Sequence, residues 1–544
     1  MPKIIYQAKK IITLNPSMPT AKYIAVEDGK ILAVGPYEAV AHLAGESTLN
    51  TDYQDNVIVP GFVEGHAHAM EGSVWQHVYV GYFDKTDPDG KVWQGAKNIE
   101  QIQDRLASAA QNHPQGEPLI AWGLDPIYFE EGRLSCHHID AVVADRPVIV
   151  LHASFHVMTV NSLMLEQADL EQHLGMEGIL LDESGQPNGE LQEMAVMSRV
   201  FAMLDKDIMD ATSDPKALSL YGKSAARVGV TTATDLYNPL SDEGLKLLLE
   251  TTAKADYPLR LVPAMSALSY SPEEGVEKIL NLKEKSTDKL HIGSVKLMTD
   301  GSIQGYTARL MYPGYHDKDV QGIWNAPPQT LIDIVHAYHQ AGINLHIHTN
   351  GDEATQLMIE AIESALTMVP WLNHRHTLQH CQMVNHAQIK RIANAKIAMN
   401  IFANHIYYWG DQHRHNTMGY ERAQRMEPIA SAKRAGIPVA IHSDAPVTPL
   451  DPLFSMHCAV NRSTASGEVV GAYEAVDPLS ALEMVTINPA YTLHLDDKIG
   501  SLECGKFADF AVLDTCPLSC DPSKIKSIQV KATVLGGVET YASA

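Results

Sequence analysis

The chain has 544 residues, 45% hydrophobic and 19% charged, with 41 Lys+Arg against 65 Asp+Glu for a formal net charge of −24. So acidic a chain is not expected to bind nucleic acid, and no run approaches the roughly 20 uncharged apolar residues of a membrane span. The six cysteines (Cys136, Cys381, Cys458, Cys504, Cys516, Cys520) form no CxxC pair, so no disulfide framework is predicted.

From Met1 to Asn15, lysines are scattered among apolar residues. This reads as a strand and not a signal peptide, which makes the cytoplasm the expected compartment. Tyr23–Val26 and Ile31–Val34 alternate in polarity around Asp28-Gly29, a two-residue hairpin signal. The far end reads the same way. Phe507–Leu513 is a strand run, and Val530–Leu535 and Val538–Tyr541 flank Gly536-Gly537. Two β-rich ends suggest either two unrelated edge hairpins or one small β-sandwich domain built from both chain termini, 1–56 plus 493–544, around a middle of 57–492.

That middle repeats a short apolar run followed by helical sequence. The predicted strands are Val57–His66, Thr231–Leu236, Leu259–Ala264, Ile292–Met298, Asn344–His348, His376–His380, Ile397–Phe402 and Pro438–His442. Alternating strands and helices imply parallel βαβ units, and eight of them predict an α/β fold, a (β/α)8 TIM-like barrel. About 165 residues separate the first strand from the second, too many for one crossover. Within them Leu119–Trp122 and Pro147–Val160 read as strands and Asp214–Val228 as helix. An inserted subdomain is therefore expected at about 72–225.

Catalytic groups of such a barrel sit at the C-terminal strand ends. The first strand ends in His66 and His68, whose side chains point the same way. Neutral imidazole is a common metal ligand, but one HxH pair says little. Strand 5 ends with His346 and His348, strand 6 with His380, and strand 8 with His442 and Asp444, while His376, at the start of strand 6, is a competitor for the role of His380. Such groups at four strand ends of one barrel predict a metal centre. Strand 4 carries Lys296 among apolar residues, where an unpaired ammonium is costly. Pairing with Asp300 would account for it. So would carboxylation of the amine by CO2, which yields an anion able to bridge two metals.

These segments resemble the amidohydrolase superfamily, specifically amidohydrolase family 3. PGFVEGHAH is similar to that family's PGFxDxHxH, and VKLMTDGSIQGYTARL to its VKxxxDGSxGxxTAxL. HTNGD resembles HAxGD, QHCQ resembles EHxQ, and HSDAP resembles GSDxP. GSLECGKFADFAVLD resembles GSIExGKxADxxVLD, and PVIVLHASFHVMTVN resembles PVxLxxxxGHxxxxN. NIFANHIYYWGD, after strand 7, is most similar to the branch that contains N-substituted formamide deformylases and exoenzyme regulatory proteins. Three positions depart from the pattern: Glu64 stands for Asp, Gln379 for Glu and His442 for Gly.

The resemblance implies metal ligation by His66, His68, Lys296, His348, His380 and Asp444, with Lys296 as a carboxylated bridge. The HxxGD and HxQ matches favour His348 over His346 and His380 over His376. One or two zinc ions are implied. Imidazole and carboxylate ligands also suit iron or manganese. The implied reaction is hydrolysis of a non-peptide C–N bond, of amide or N-formyl type, in a small-molecule substrate. Metal-activated water would attack, with Asp444 as general base and acid. His156 and His405 are candidate oxyanion donors. His442 is a candidate substrate contact, and Tyr407, Tyr408 and Trp409 would line a pocket for an apolar substituent. A deaminase, a cyclic amide hydrolase and a non-catalytic regulatory or ligand-binding barrel are the alternatives. A homodimer is expected from the resemblance, which also favours one shared terminal domain, the β-sandwich, over two unrelated hairpins.

Overall fold

Eight parallel strands follow one another around a single sheet in the computed structural model, which describes residues 3–130, 132–204 and 208–543. They are β1 (Phe62–Glu64), β2 (Val230–Asn238), β3 (Arg260–Ser266), β4 (Ser294–Met298), β5 (Asn344–Thr349), β6 (Thr377–His380), β7 (Ala398–Ile401) and β8 (Val439–Ile441). Each pairs in parallel with its sequence neighbours. The sheet's two ends meet just beyond the strands. Asp444 N–H donates to the His66 carbonyl at 3.0 Å, and His68 N–H to that of Ala445 at 2.8 Å. Every residue of β3 is buried, as expected of a strand covered on both faces. The result is the expected (β/α)8 barrel.

The first strand differs from its expected span. Val57–Pro60 and Phe62–Glu64 are separate strands that belong to different sheets. Pro60 has no N–H to extend a ladder, and Gly61 sits so close to β2 that a Cβ there would lie 2.2 Å from Thr231 Oγ1. The chain switches sheets at this dipeptide. Val57–Pro60 pairs with Ile4–Ile12 on one side and with Phe510–Leu513 on the other. One eight-stranded sheet therefore takes strands from both ends of the chain. Its side chains alternate: Ile58, Phe510 and Val512 fill its own core, whereas Val57, Val59, Ala511 and Leu513 pack on the barrel. Both expected hairpins are present. Asp28 and Gly29 have φ of 50° and 78°, and Gly536 and Gly537 have 55° and 75°. Positive φ at both central residues is the turn that matches strand twist.

Between β1 and β2 lies a six-stranded sheet with strands between Val78–Tyr79 and Pro187–Gln192. Pro147–Val160, expected as one strand, is two: Val148–His152 and Val157–Val160, antiparallel. The reversal at 153–156 carries His156. The expected helix near 214–228 is Pro215–Arg227, where the Asp214 side chain accepts the Lys216 N–H and proline occupies the first turn. The segment after β7 contains the helix His405–Gln412.

Candidate metal centre

The strand ends bring most of the predicted ligands to one place. Asp444 Oδ1 lies 3.2 Å from His66 Nε2 and 3.3 Å from His68 Nε2, and Asp444 Oδ2 lies 3.7 Å from His380 Nδ1. The rings of His348 and His380 are 4.4 Å apart, and those of His66 and His380 are 4.5 Å apart. Lys296 Nζ is 3.4 Å from His66 Nε2. His380 and Asp444 both have left-handed backbones, with φ of 67° and 54°. That costs a non-glycine residue about 1–2 kcal/mol. Ser443 and Glu64 help hold the Asp444 turn: the Glu64 carboxylate accepts the His66 N–H, the Ser443 N–H and the Ser443 hydroxyl, the last at 2.7 Å. The longer acid found here in place of Asp thus ties β1 to the end of β8. Burial pushes its carboxyl up to about 8.

Hydrogen bonds around the centre decide which nitrogens carry protons. Gln379 Oε1 accepts from Asn400 Nδ2 at 2.9 Å and from His66 Nδ1 at 2.8 Å. The His66 proton is therefore on Nδ1, and its lone pair, on Nε2, faces Asp444. Gln379 Nε2 donates to His346 Nδ1 at 2.8 Å. His348 Nε2 is 3.1 Å from the Gly301 carbonyl, which places its proton there and leaves Nδ1 free. Burial drives His66 down to about 4 and holds His348 and His380 well below the usual imidazole range. All three are neutral at pH 7, the form that binds metals.

Asp300 does not neutralise Lys296. Its carboxylate accepts the N–H groups of Arg309, Asn350 and Gly351, bracing the loop after β4 against that after β5. Lys296 is 1% exposed. Burial pulls its ammonium down to about 7, with Asp444 opposing.

These groups line one wall of a cavity of about 290 Å³. Its other walls are mostly apolar: Met70, Phe155, Met194, Met209, Leu268 and Val447. Sequence reasoning missed them, and also missed Glu193. The insert supplies several of these residues, and nothing in their local sequence points toward β4 or β5. His156 lines the cavity with its ring 5.2 Å from that of His348. Its Nδ1 is 2.9 Å from Glu193 Oε2. Burial opposes protonation, but Glu193 holds the His156 pKa above its ordinary value.

Other predicted residues lie elsewhere. His405 is buried between Phe402 and Trp409, with Nδ1 2.7 Å from Glu427 Oε1, and does not line the cavity. Tyr408 packs on Phe83, and Trp409 donates to Asp125 at 2.6 Å. Tyr407 packs on Phe454. The three aromatics line no part of this cavity. His376 faces the helix layer, bonded to His339 at 2.8 Å, and His346 is fully buried outside the cavity wall. His442 is 1% exposed, and neither ring nitrogen has a hydrogen-bond partner.

The donor set fits a divalent cation. Asp444 Oδ1 and His66 Nε2 are both acceptors, yet they face each other at 3.2 Å, and a positive ion between them turns repulsion into attraction. A profile of the amidohydrolase family matches residues 51–541, and the chain belongs to that family. It is thus a hydrolase by class, with the His and Asp groups above as candidate metal ligands. It is 27% identical to the protein LONG AFTER FAR-RED 3 of Arabidopsis thaliana, over 98% of this chain and 90% of that one. It is 24% identical to an N-substituted formamide deformylase of Arthrobacter pascens, over 98% and 99% of the two chains. Its fold is similar to that of an uncharacterized metal-dependent hydrolase from Pyrococcus horikoshii, with a TM-score of 0.72 at 21% identity over 96% and 99% of the two chains.

Proposed function

We propose that the protein hydrolyses the C–N bond of a small amide or N-formyl compound bearing an apolar nitrogen substituent. The observation that carries this reading is the cavity itself, where neutral imidazoles and Asp444 converge at one end and methionine, leucine and phenylalanine side chains fill the other. His66, His68, His348, His380 and Asp444 would hold the metal, with Lys296 as a carboxylated bridge if two ions bind. Bound there, a zinc, iron or manganese ion would supply Lewis acidity toward water and the scissile carbonyl.

The chain's own residues do the rest. Asp444 would take the proton of the attacking water and deliver it to the leaving nitrogen. Gln379 fixes the His66 tautomer through its 2.8 Å bond to Nδ1. His156 donates Nδ1–H to Glu193, whose carboxylate raises the His156 pKa; as the imidazolium it would also offer Nε2–H to a developing oxyanion. The apolar walls bind the substituent and exclude water. The far walls carry apolar side chains such as Met194, Met209 and Leu268, so an uncharged substituent suits them better than an anionic one. The name of the Arthrobacter relative, an N-substituted formamide deformylase, agrees with this chemistry.

The test is a screen of N-alkyl and N-benzyl formamides and acetamides with zinc-loaded protein, read by product mass. Release of the amine and the free acid supports the proposal. Ammonia release, ring opening without fragment loss, or saturable binding without product would replace it with the deaminase, cyclic amidase or binding reading.

A further inference from the structure

One buried lysine ties the insert to the turn that carries Asp444. Lys85 lies in a short antiparallel ribbon, Lys85–Thr86 against Val92–Trp93. It is buried, and its Nζ donates to the Pro446 carbonyl. The ammonium also sits 4.7 Å from the centre of the Trp122 ring. Glu71 supports its charge without bonding to it. The Glu71 Oε1 accepts from Trp75 Nε1 at 2.8 Å, and its buried Oε2 has no partner among the described residues. Burying an ammonium is costly unless it is engaged, and a charged donor bonds a carbonyl roughly twice as strongly as a neutral one. The Lys85 contact is therefore a firm anchor.

What it anchors is the turn that presents Asp444. The Asp444 carbonyl accepts the Val447 N–H at 2.7 Å, which closes residues 444–447. Glu64 and the backbones of His66 and His68 hold this turn from the β1 side, at Ser443, Asp444 and Ala445. Lys85 adds an anchor at Pro446, and it comes from the insert. Pro446 and Lys85 line a separate pocket of about 40 Å³ with Trp122 and Tyr408, and Val447 lines both that pocket and the larger cavity. The turn thus partitions the two, with the Asp444 carboxylate on the cavity side and the Pro446 carbonyl bonded to Lys85. The insert also supplies His156, Met194 and Met209 to the cavity.

We propose that Lys85 is a positioning residue, one that anchors the Asp444 turn to the insert and so fixes the Asp444 carboxylate on the metal centre. This rests on the reading of Asp444 as metal ligand and base. The segment that walls the cavity then also sets the base, and a shift of the insert moves both.

The test compares wild-type protein with Lys85→Met, which keeps the apolar stem on Trp122 and removes the donor. Each is stripped of metal and titrated with Co2+. The readouts are the visible d–d spectrum and the competition Kd, neither of which depends on turnover. With a substrate from the amide screen, kcat and KM are read as well. The expected result in Lys85→Met is a changed d–d envelope, an affinity loss of about tenfold, and a kcat lowered about 10–100-fold with KM little changed. A lower Tm with wild-type spectrum and affinity would show that Lys85 only packs and would overturn the proposal. Should Lys85→Met fail to fold, Lys85→Leu is read by the same criteria. Wild-type protein that takes up no Co2+ would overturn both this proposal and the metal-centre reading. Normal uptake by wild type and an indistinguishable variant would overturn only this one.

Discussion

Asp444 Oδ1 sits 3.2 Å from His66 Nε2, and no proton lies between them, because Gln379 holds the His66 proton on Nδ1. In metal-free protein this contact opposes folding, and with a cation it joins two ligands. Asp444→Asn should therefore have a double signature. The amide can donate to Nε2, so the metal-free variant should be more stable than wild type by about 0.5–1.5 kcal/mol. Zinc should no longer raise its Tm, and turnover should vanish. Thermal melts with and without zinc check both signs. A metal-free Asp444→Asn less stable than wild type would contradict the tautomer assignment.

Lys296 gives the pH dependence. Its folded pKa is about 7, below the ordinary 10.5, so between these values the unfolded chain binds a proton that the folded chain does not. Stability of metal-free protein from this group should rise with pH across that window, by up to about 1.4 kcal/mol per pH unit. Glu64 acts oppositely, its pKa raised from 4.5 to about 8. Comparing wild type with Lys296→Met by denaturant melts from pH 6 to 10 cancels the Glu64 contribution. Above pH 7 the amine is free to take up CO2, so labelled bicarbonate with zinc should give a carbamate carbon signal at pH 8 that Lys296→Met lacks.

Much of the barrel and of the candidate metal centre is legible in the amino-acid sequence. Period-two alternation and glycine pairs mark the terminal hairpins, and polar residues closing apolar runs mark seven of the barrel strands within a few residues. The first strand reads too long because Val57 to Glu64 is one apolar run, and only spatial crowding at Gly61 against Thr231 reveals that it changes sheets. The candidate ligands are legible because His66, His68, His348, His380 and Asp444 stand at or just beyond strand ends and Lys296 interrupts an apolar run. The cavity's far wall is not. Met194 and Met209 come from the insert, and their approach to β4 is a tertiary fact with no local signal. His405 misleads for the same reason: its buried partner, Glu427, is 22 residues away in sequence.

The Glu193–His156 pair yields a kinetic prediction. Glu193 has φ of 62° and ψ of 158°, a region nearly reserved for glycine. Its Oε1 packs against Gly301, where a Cβ would lie 2.2 Å away. Glu193→Gln keeps this shape and weakens the hold on His156. It should lower kcat about 10–100-fold with KM little changed, since the lost donor acts on the developing oxyanion. Steady-state kinetics on a formamide found by the screen would decide it. A change in KM alone would place His156 in substrate binding.

Arg260 and Asp509 join the barrel to the terminal sheet. Both are at most 4% exposed, and they form a direct ion pair. Arg260 also donates to the Asp288 carbonyl at 2.7 Å, and Asp509 accepts the Gly536 N–H at 2.7 Å. Asp509→Ala leaves a buried guanidinium and should cost about 3–5 kcal/mol, whereas Arg260→Met with Asp509→Leu should recover most of it. Urea melts of the three variants measure this.

The most direct test of the central claim is the metal content per chain of protein purified without chelator. At least one equivalent of zinc, iron or manganese is expected, lost when His66 and His68 are both replaced by alanine. Two equivalents would add the Lys296 bridge. No metal as purified, and none regained on reconstitution with zinc and bicarbonate, would contradict the metal centre and the hydrolysis proposed for it.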